Sequence, residues 1–374
     1  MSRWWLTLCM VLPMMARAQG PTALPAPFHF PLSPAGATHL SIVAVGDVLL
    51  HTPLHRQMLA SPDGARSLWM DVAPWLAQAD MAYANLEGPA ATGVRGGGVA
   101  VPDPGNVFDG KVYGSYPAFN YHARLADDLV ASGFDVVSTA NNHALDRGAL
   151  GIDRTIAALN AAQLPYTGSR VSTATETDPT AWARVIETKG WHVAWLACAF
   201  GTNGIPDRHH QVLNCYSDRA VVLAAVHALA HRSDIDAVIV TPHVGIEYED
   251  TPRPDVVALD RDLLDAGASA VLGAHPHVTQ PWVQHTSPDG RVGLIVYSLG
   301  NFVSGQFQRV PTRASALVWL DLAKGPGGKA FVAGASYLPL EMTHAGGVYA
   351  VHPITAITGT PAIWQRLTRM FGAR

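Results

Sequence analysis

Residues 40–47 read LSIVAVGD, a run of apolar and β-branched side chains that ends in Gly-Asp. The same pattern, an apolar run followed by polar residues, recurs at residues 80–88 (DMAYANLEG), 134–143 (FDVVSTANNH), 236–245 (DAVIVTPHVG) and 268–277 (ASAVLGAHPH). Short apolar runs bounded by turn residues are typical of buried strands. We therefore predict five strands that each end in side chains able to bind a metal ion or a phosphate group.

Helical periodicity fills most of the intervals between these strands, at residues 124–133, 149–162, 218–232 and 255–266. Alternation of strands and helices predicts parallel pairing, with helices on the faces of a sheet. Two hairpins, which turn at Lys189-Gly190 and Asp289-Gly290, add antiparallel strands. The residues alone therefore predict a mixed α/β fold, and they leave open whether it contains one sheet or two.

Residues 91–118 are rich in Gly and Pro and predict a long surface loop, which either covers a cleft or is a mobile insertion. Two further strands near residues 314–322 and 330–341 follow, and then a short helix. We predict that residues 311–374 complete the same domain as residues 39–310.

Composition excludes several classes of function. Charged residues make up 14% of the 374 residues, the net charge is −4, and the Lys and Arg residues form no cluster. These features argue against a nucleic-acid partner, which needs basic surface to neutralise phosphates. The sequence contains no GxxxxGK[ST] loop for ATP-driven ligation and no GxSxG elbow for a serine hydrolase.

The start of the chain predicts export. Arg3 precedes an apolar run over residues 4–15, and a small-residue cleavage pattern follows. This is the layout of a secretory signal peptide, here residues 1–18. An uncleaved anchor is the alternative, although the run is shorter than the roughly 20 residues that span a membrane. Residues 19–38, rich in Pro and Ala, form an extended leader, and we expect a periplasmic or extracellular protein.

Two cysteines remain after the predicted cleavage, Cys198 and Cys215. In an oxidising compartment they either form a disulfide or stay as two buried thiols, and the sequence favours neither.

The polar residues at the strand ends are the candidates for chemistry. In open α/β sheets, ligands collect at the C-terminal ends of strands, so distant residues meet in one cleft. The side chains concerned are Asp47, Glu87, Asn142, His143, His243, His275 and His277. Carboxylates, an amide and imidazoles without a thiolate suit Mn, Fe or Zn, and carboxylates can bridge two cations. Each motif alone has a plainer interpretation, as a turn, a surface acid or a core histidine. Their ordered occurrence favours a metal site.

The ordered set GD, NLEG, NNHALDRG, HVGIEY, GAHPHV and YSLGNF resembles the CapA, or poly-γ-glutamate capsule synthesis, family of calcineurin-like metallophosphoesterases. The similarity covers residues 40–304. It implies a four-layer α/β/β/α sandwich of two mixed sheets, with two divalent metal ions, Mn, Fe or Zn, at the strand ends. The ligands that it implies are Asp47 and His277 for the first ion, Asn142, His243 and His275 for the second, and Glu87 as the bridge.

The resemblance also implies that His143 contacts the substrate or protonates the leaving group. Asp146 either orients His143 or is a first-turn acid of the following helix. The first phosphoesterase motif is usually Asp-x-His, but position 49 is Leu. His51 either replaces that histidine or lies behind the ligands, and Glu247 either binds substrate or is an exposed loop acid.

We therefore expect an exported capsule-biosynthesis protein that hydrolyses a phosphoester or an envelope polymer. The alternative is a non-catalytic component for assembly, export or anchoring of a capsule polymer, working with a membrane partner.

Overall fold

The computed structural model describes residues 28, 30–326 and 328–372. The predicted signal peptide and residues 19–27 and 29 of the predicted leader lie outside the described residues. The strands are β1 (Thr38–Leu49), β2 (Met81–Leu86), β3 (Val94–Arg95), β4 (Val99–Ala100), β5 (Val136–Ser138), β6 (Tyr166–Thr167), β7 (Arg184–Thr188), β8 (Trp191–Ala199), β9 (Ala237–His243), β10 (Ala270–Leu272), β11 (Thr279–Thr286), β12 (Val292–Leu299), β13 (Asn301–Ser304), β14 (Ala314–Lys324), β15 (Phe331–Ala345) and β16 (Val348–Pro353). The α-helices are α1 (Thr52–Ala60), α2 (Ala73–Leu76), α3 (Arg124–Ala131), α4 (Gly148–Ala161), α5 (Arg219–His231), α6 (Pro254–Asp265) and α7 (Pro361–Phe371).

These strands form two mixed sheets and one short hairpin. The first sheet has the order β16-β15-β14-β1-β2-β5-β6, with β13 also paired to β1. Its strands β1, β2, β5 and β6 run parallel, whereas β14 to β16 add antiparallel neighbours on the other side of β1. The second sheet has the order β11-β12-β10-β9-β8-β7, and both predicted hairpins lie at its edges.

Alternating side chains of β1 explain why two sheets pack together. Ile42 and Ala44 belong to the apolar cluster that also holds Trp195 of the second sheet. Val43 and Val45, one residue out of phase, belong to the cluster on the outer face with helices α1 and α3. Since successive side chains of a strand point to opposite faces, a strand that is apolar on both faces is covered on both sides.

Helices α5 and α6 cover the outer face of the second sheet through a third apolar cluster. The layers are therefore helix, sheet, sheet and helix, and the predicted four-layer sandwich is confirmed. Within the described residues, no helix is long and apolar enough to cross a membrane.

Cys198 of β8 and Cys215 form a disulfide. Of the two alternatives that the sequence left open, the structure has the bridge.

Candidate metal centre

Parallel pairing brings the ends of β1 and β2 together at one edge of the first sheet. Asp47 lies opposite Asn85, and the N–H of Glu87 donates to the carbonyl of Val48 at 3.2 Å. The close approach of β1 to the chain before β13 requires Gly46, because a Cβ there would lie 1.7 Å from the carbonyl oxygen of Gly300.

Asp47, Glu87 and His277 form a buried cluster. Each offers one donor atom, and these atoms lie within 4.8 Å of one another. The Nδ1 atom of His277 lies 3.3 Å from an oxygen of Asp47 and 3.8 Å from an oxygen of Glu87. His277 and His275 both have positive φ, 58° and 101°, so the loop after β10 holds these imidazoles in a backbone conformation that non-glycine residues seldom adopt.

A second group of side chains adjoins this cluster. Nε2 of His243, at the end of β9, lies 2.9 Å from Oδ1 of Asn142 and 3.6 Å from Oε1 of Glu87. The ring centroid of His275 is 4.9 Å from that of His243. Glu87 therefore lies between the Asp47–His277 pair and the group formed by Asn142, His243 and His275.

Burial and neighbouring charges shift the pKa values of the groups in this site. Burial raises the pKa of Glu87 well above its ordinary value, and the charge of Asp47 adds to the effect. Burial works against the charged form of His277, but Glu87 and Asp47 overcome it and raise the pKa of His277 to about 9. Burial lowers the pKa of His243 well below its usual range and that of His275 to about 3, and neighbouring histidines reinforce both shifts.

Several polar atoms of the site have no hydrogen-bond partner among the described residues. They are both carboxylate oxygens of Glu87 and the Nδ1 atom of His275. Buried polar groups are normally paired, and a buried carboxylate is costly unless a cation or a donor compensates it. Oxygen and imidazole donors around a compact centre fit a divalent transition metal.

Comparison with known proteins identifies the family of this chain. The family model of bacterial capsule synthesis proteins, PGA_cap, matches residues 41–306. This chain belongs to that family.

Two relatives within the capsule synthesis family are similar over most of the chain. The capsule biosynthesis protein CapA of Bacillus anthracis is 27% identical over 338 residues, which cover 88% of this chain and 73% of that protein. The PGA biosynthesis protein CapA of Bacillus subtilis is 26% identical, over 78% of this chain and 70% of that protein.

Solved structures are similar only at a distance. The NAD nucleotidase NadN of Haemophilus influenzae is 12% identical with a TM-score of 0.42, over 90% of this chain and 64% of that one. Purple acid phosphatase PPD1 of yellow lupin is 10% identical with a TM-score of 0.33, over 87% and 55%. This chain thus spans less than two thirds of either structure.

His143 lies beside the candidate ligands, and its ring is held by neighbouring side chains. Its Nδ1 is 2.7 Å from Oδ2 of Asp146, and the same oxygen accepts the N–H of Phe119 at 2.7 Å. The ring of Phe119 meets that of His143 edge-on, with centroids 4.8 Å apart. Of the two interpretations of Asp146, the contacts are those of a residue that orients His143.

His51 and Glu247 lie outside the cluster of Asp47, Glu87 and His277. Nδ1 of His51 accepts the N–H of Gly305 at 3.2 Å and lies 3.2 Å from the carbonyl of Leu49, and burial lowers the pKa of His51 to about 4. His51 is therefore bonded to the backbone and does not join the donor cluster. Glu247 is exposed, and its charge acts on the buried Glu87 and His277.

Three asparagines contact the candidate ligands through their side chains. None of them was predicted from the sequence to have a role. Asn85 donates to Asp47 at 2.7 Å and lies 3.1 Å from Nδ1 of His243. Oδ1 of Asn301 lies 3.0 Å from Nδ1 of His277. Asn85 and Asn301 lie within the NLEG and SLGNF motifs, and these motifs are the sequence signal that could have identified them. Asn203, which accepts from Asn142 at 3.1 Å, stands in a loop that carries no motif.

Proposed function

We propose that this chain is a metal-dependent hydrolase of the cell envelope, acting on a phosphoester or on an envelope polymer such as poly-γ-glutamate. The observation that carries the proposal is the buried cluster of Asp47, Glu87 and His277, in which the oxygens of Glu87 have no hydrogen-bond partner among the described residues. A cluster of this kind is costly to bury unless a cation compensates its charge.

The residues present would hold two divalent cations, Mn, Fe or Zn. Asp47 and His277 would bind one ion, and Asn142, His243 and His275 the other, with Glu87 between them. Bound cations of this kind polarise a phosphoryl or carbonyl oxygen and acidify water.

The remaining chemistry belongs to His143. Its Nδ1 is engaged with Asp146, so its Nε2 is the atom that holds a proton for the leaving oxygen. The carboxylate of Asp146 keeps the ring in place.

A second candidate function is a non-catalytic part of a capsule-polymer assembly or export complex with a membrane partner. The observation that favours it is that both relatives are described as biosynthesis proteins. In that case a phenotype in polymer production survives loss of the metal ligands.

We further propose that the chain is exported to the periplasm or the cell exterior. The signal-like N-terminal sequence and the disulfide between Cys198 and Cys215 support this, since disulfides persist in oxidising compartments. N-terminal sequencing of the protein from fractionated cells is expected to begin at Gln19, and recovery of the intact chain from the cytoplasm would refute export.

Metal content tests the main proposal directly. Full-length protein purified without chelator is expected to carry about two transition-metal ions per chain by elemental analysis. The His275→Ala/His277→Ala variant is expected to lose them, together with hydrolysis of a chromogenic phosphodiester or of poly-γ-glutamate. The control is His285→Ala, which removes an imidazole that pairs with Asp265 and is not among the candidate ligands. Protein that binds no metal after loading with manganese would overturn the hydrolase and favour the assembly role.

A further inference from the structure

A cavity of about 550 Å³ lies next to the segment that precedes Phe119, and the proposed chemistry does not use it. Its walls come from the Gly-rich segment 95–118, from Thr52 and from Arg147. From the sequence, this segment is expected either to cover a cleft or to be a mobile surface insertion. In the structure it lines a cavity that is open to solvent.

Three cationic side chains line this cavity: Arg95, Lys111 and Arg147. Arg95 and Lys111 are exposed, and no carboxylate in the described part of the chain lies within 4.0 Å of either. Many other arginines of the surface do have carboxylate partners, as in the Arg232–Asp234 pair at 2.6 Å.

Arg147 is the buried member of the three, with an exposed fraction of 3%. Its Nη1 donates to the carbonyls of Ala118 and Asp146, each at 3.1 Å, but its Nε has no hydrogen-bond partner among the described residues. A Cβ at Gly114 would lie 2.5 Å from Nη2, so the absence of a side chain there makes room for the guanidinium. An unpaired N–H on a buried cation is costly and marks a place for an acceptor.

The acids nearest to this cavity are engaged elsewhere. Asp109 accepts the backbone N–H groups of Lys111, Val112 and Tyr113 at 3.0 Å, and Asp103 accepts the hydroxyl of Tyr113 at 2.6 Å. Their oxygens therefore hydrogen-bond within the segment, although the charge of Asp109 also acts on Arg147.

Residues that line the cavity are direct neighbours in sequence of residues beside the candidate metal centre. Segment 115–118 lines the cavity, and the next residue, Phe119, contacts the rings of His143 and His51 at centroid distances of 4.8 and 5.3 Å. Arg147 directly follows Asp146, the partner of His143. This connection places the cavity on the His143 side of the candidate metal centre.

We propose that this cavity is an anion subsite, in which Arg95, Lys111 and Arg147 bind a carboxylate or phosphate group of an extended polyanionic substrate. The placement of the neighbouring bond at the metal centre rests on the proposed function, whereas binding of the anion does not. Guanidinium groups suit both anions, because their N–H groups pair with two oxygens at once.

Binding to chelator-treated, full-length protein tests the subsite without any hydrolysis. Isothermal titration would use two probes, a γ-linked glutamate hexamer and inorganic phosphate. The test variant is Arg95→Ala/Lys111→Ala, whose exposed side chains form no hydrogen bond or ion pair within the described part of the chain. The matched control, Arg66→Ala/Arg261→Ala, removes the same charge from exposed positions outside the cavity.

We expect the test variant to weaken binding of at least one probe by about tenfold or more, and the control to leave it unchanged. Raising the salt concentration should weaken binding by the parent, as expected for exposed charges. Preference for the hexamer assigns the subsite to a polycarboxylate, and preference for phosphate assigns it to a phosphate-bearing polymer. Binding of neither probe, or equal binding by parent and test variant, would overturn the subsite. Metal content and phosphodiester hydrolysis are measured separately, so a failed subsite and a failed hydrolase remain distinguishable.

Discussion

Glu87 shows how function and stability oppose each other at a single residue. Its side chain is fully buried, both oxygens lack hydrogen-bond partners among the described residues, and the buried carboxylate of Asp47 lies close by. Without a cation, such a residue destabilises the fold, because desolvation of an unpaired carboxylate is costly. A bound cation reverses the balance, since it supplies the missing partner.

Glu87→Gln should therefore separate the two effects. In the presence of chelator, we expect the variant to raise the free energy of unfolding by about 1–3 kcal/mol, because an amide carries no charge to desolvate. With manganese or zinc added, the parent should gain stability and the variant should gain little. Urea unfolding with and without metal measures both. The control is Glu249→Gln on the exposed surface. A variant that is less stable than the parent in chelator would contradict this interpretation.

The residues of the candidate site could be proposed from sequence because each follows an apolar run in a motif. Their partners could not, because a partner is defined by contact and not by position. Asn203 illustrates this: it joins Asn142 across 61 positions of sequence through a loop with no repeated pattern. Nothing local to residue 203 distinguishes it from any other polar loop residue.

At the scale of elements, the strands with apolar runs and the helices with clear periodicity were predictable, and their ends carry the site. The segment 91–118 was not, because its order comes from single polar contacts rather than from a period. Asn120 lies just beyond it and donates to the carbonyls of Ala91 and Val112, both at 2.8 Å. One buried amide thus joins the two ends of the segment that the sequence described only as a loop.

Helix α6 contains a carboxyl group that the fold does not pair. Asp260 is fully buried and neither oxygen has a hydrogen-bond partner among the described residues, so burial raises its pKa well above the ordinary value. A carboxyl group with a raised pKa binds its proton more tightly in the folded state than in the unfolded state. The folded state is therefore favoured least at pH values above the unfolded pKa of about 3.9, where the unfolded chain gives up this proton.

Asp260→Leu should accordingly stabilise the protein at neutral pH. We expect an increase of about 1–3 kcal/mol in the free energy of unfolding at pH 7, and a smaller increase at pH 4, where the unfolded parent loses only about half of this proton. Chemical denaturation at the two pH values measures the difference. Asp262→Leu, on the exposed side of the same helix, is the control, because it removes only a surface ion pair with Arg219. A gain that is equal at pH 4 and pH 7 would contradict the titration of Asp260.

For the whole molecule, the residues alone left open whether there is one sheet or two, and the inner faces explain why. Tyr83 of β2 stacks on Trp195 of β8, with ring centroids 5.0 Å apart, and this contact joins the two sheets. Apolar residues on both faces of a strand are equally consistent with helices on both sides. Choosing a second sheet as the covering layer required the long-range pairing itself.

The disulfide acts at the same scale, because it connects the second sheet to the loop that reaches the metal centre. Cys198 lies in β8 and Cys215 lies 17 positions later, and the chain between them includes Asn203, the partner of Asn142. Closing this loop restricts the unfolded chain, and on the chain-entropy model it stabilises the folded state by about 3 kcal/mol.

Cys198→Ala/Cys215→Ala is therefore expected to lower the free energy of unfolding by about 3 kcal/mol in non-reducing buffer. It should also weaken metal binding, because a loosened loop no longer holds Asn203 against Asn142. Urea denaturation and metal titration check the two effects, with the parent protein in reducing buffer as the comparison, since reduction should reproduce the variant. Two titratable thiols in the unreduced parent, or an unfolding midpoint that neither the variant nor reduction alters, would contradict a disulfide that stabilises this loop. A variant that loses stability but keeps its metal affinity would instead show that the centre is held by the strand ends alone.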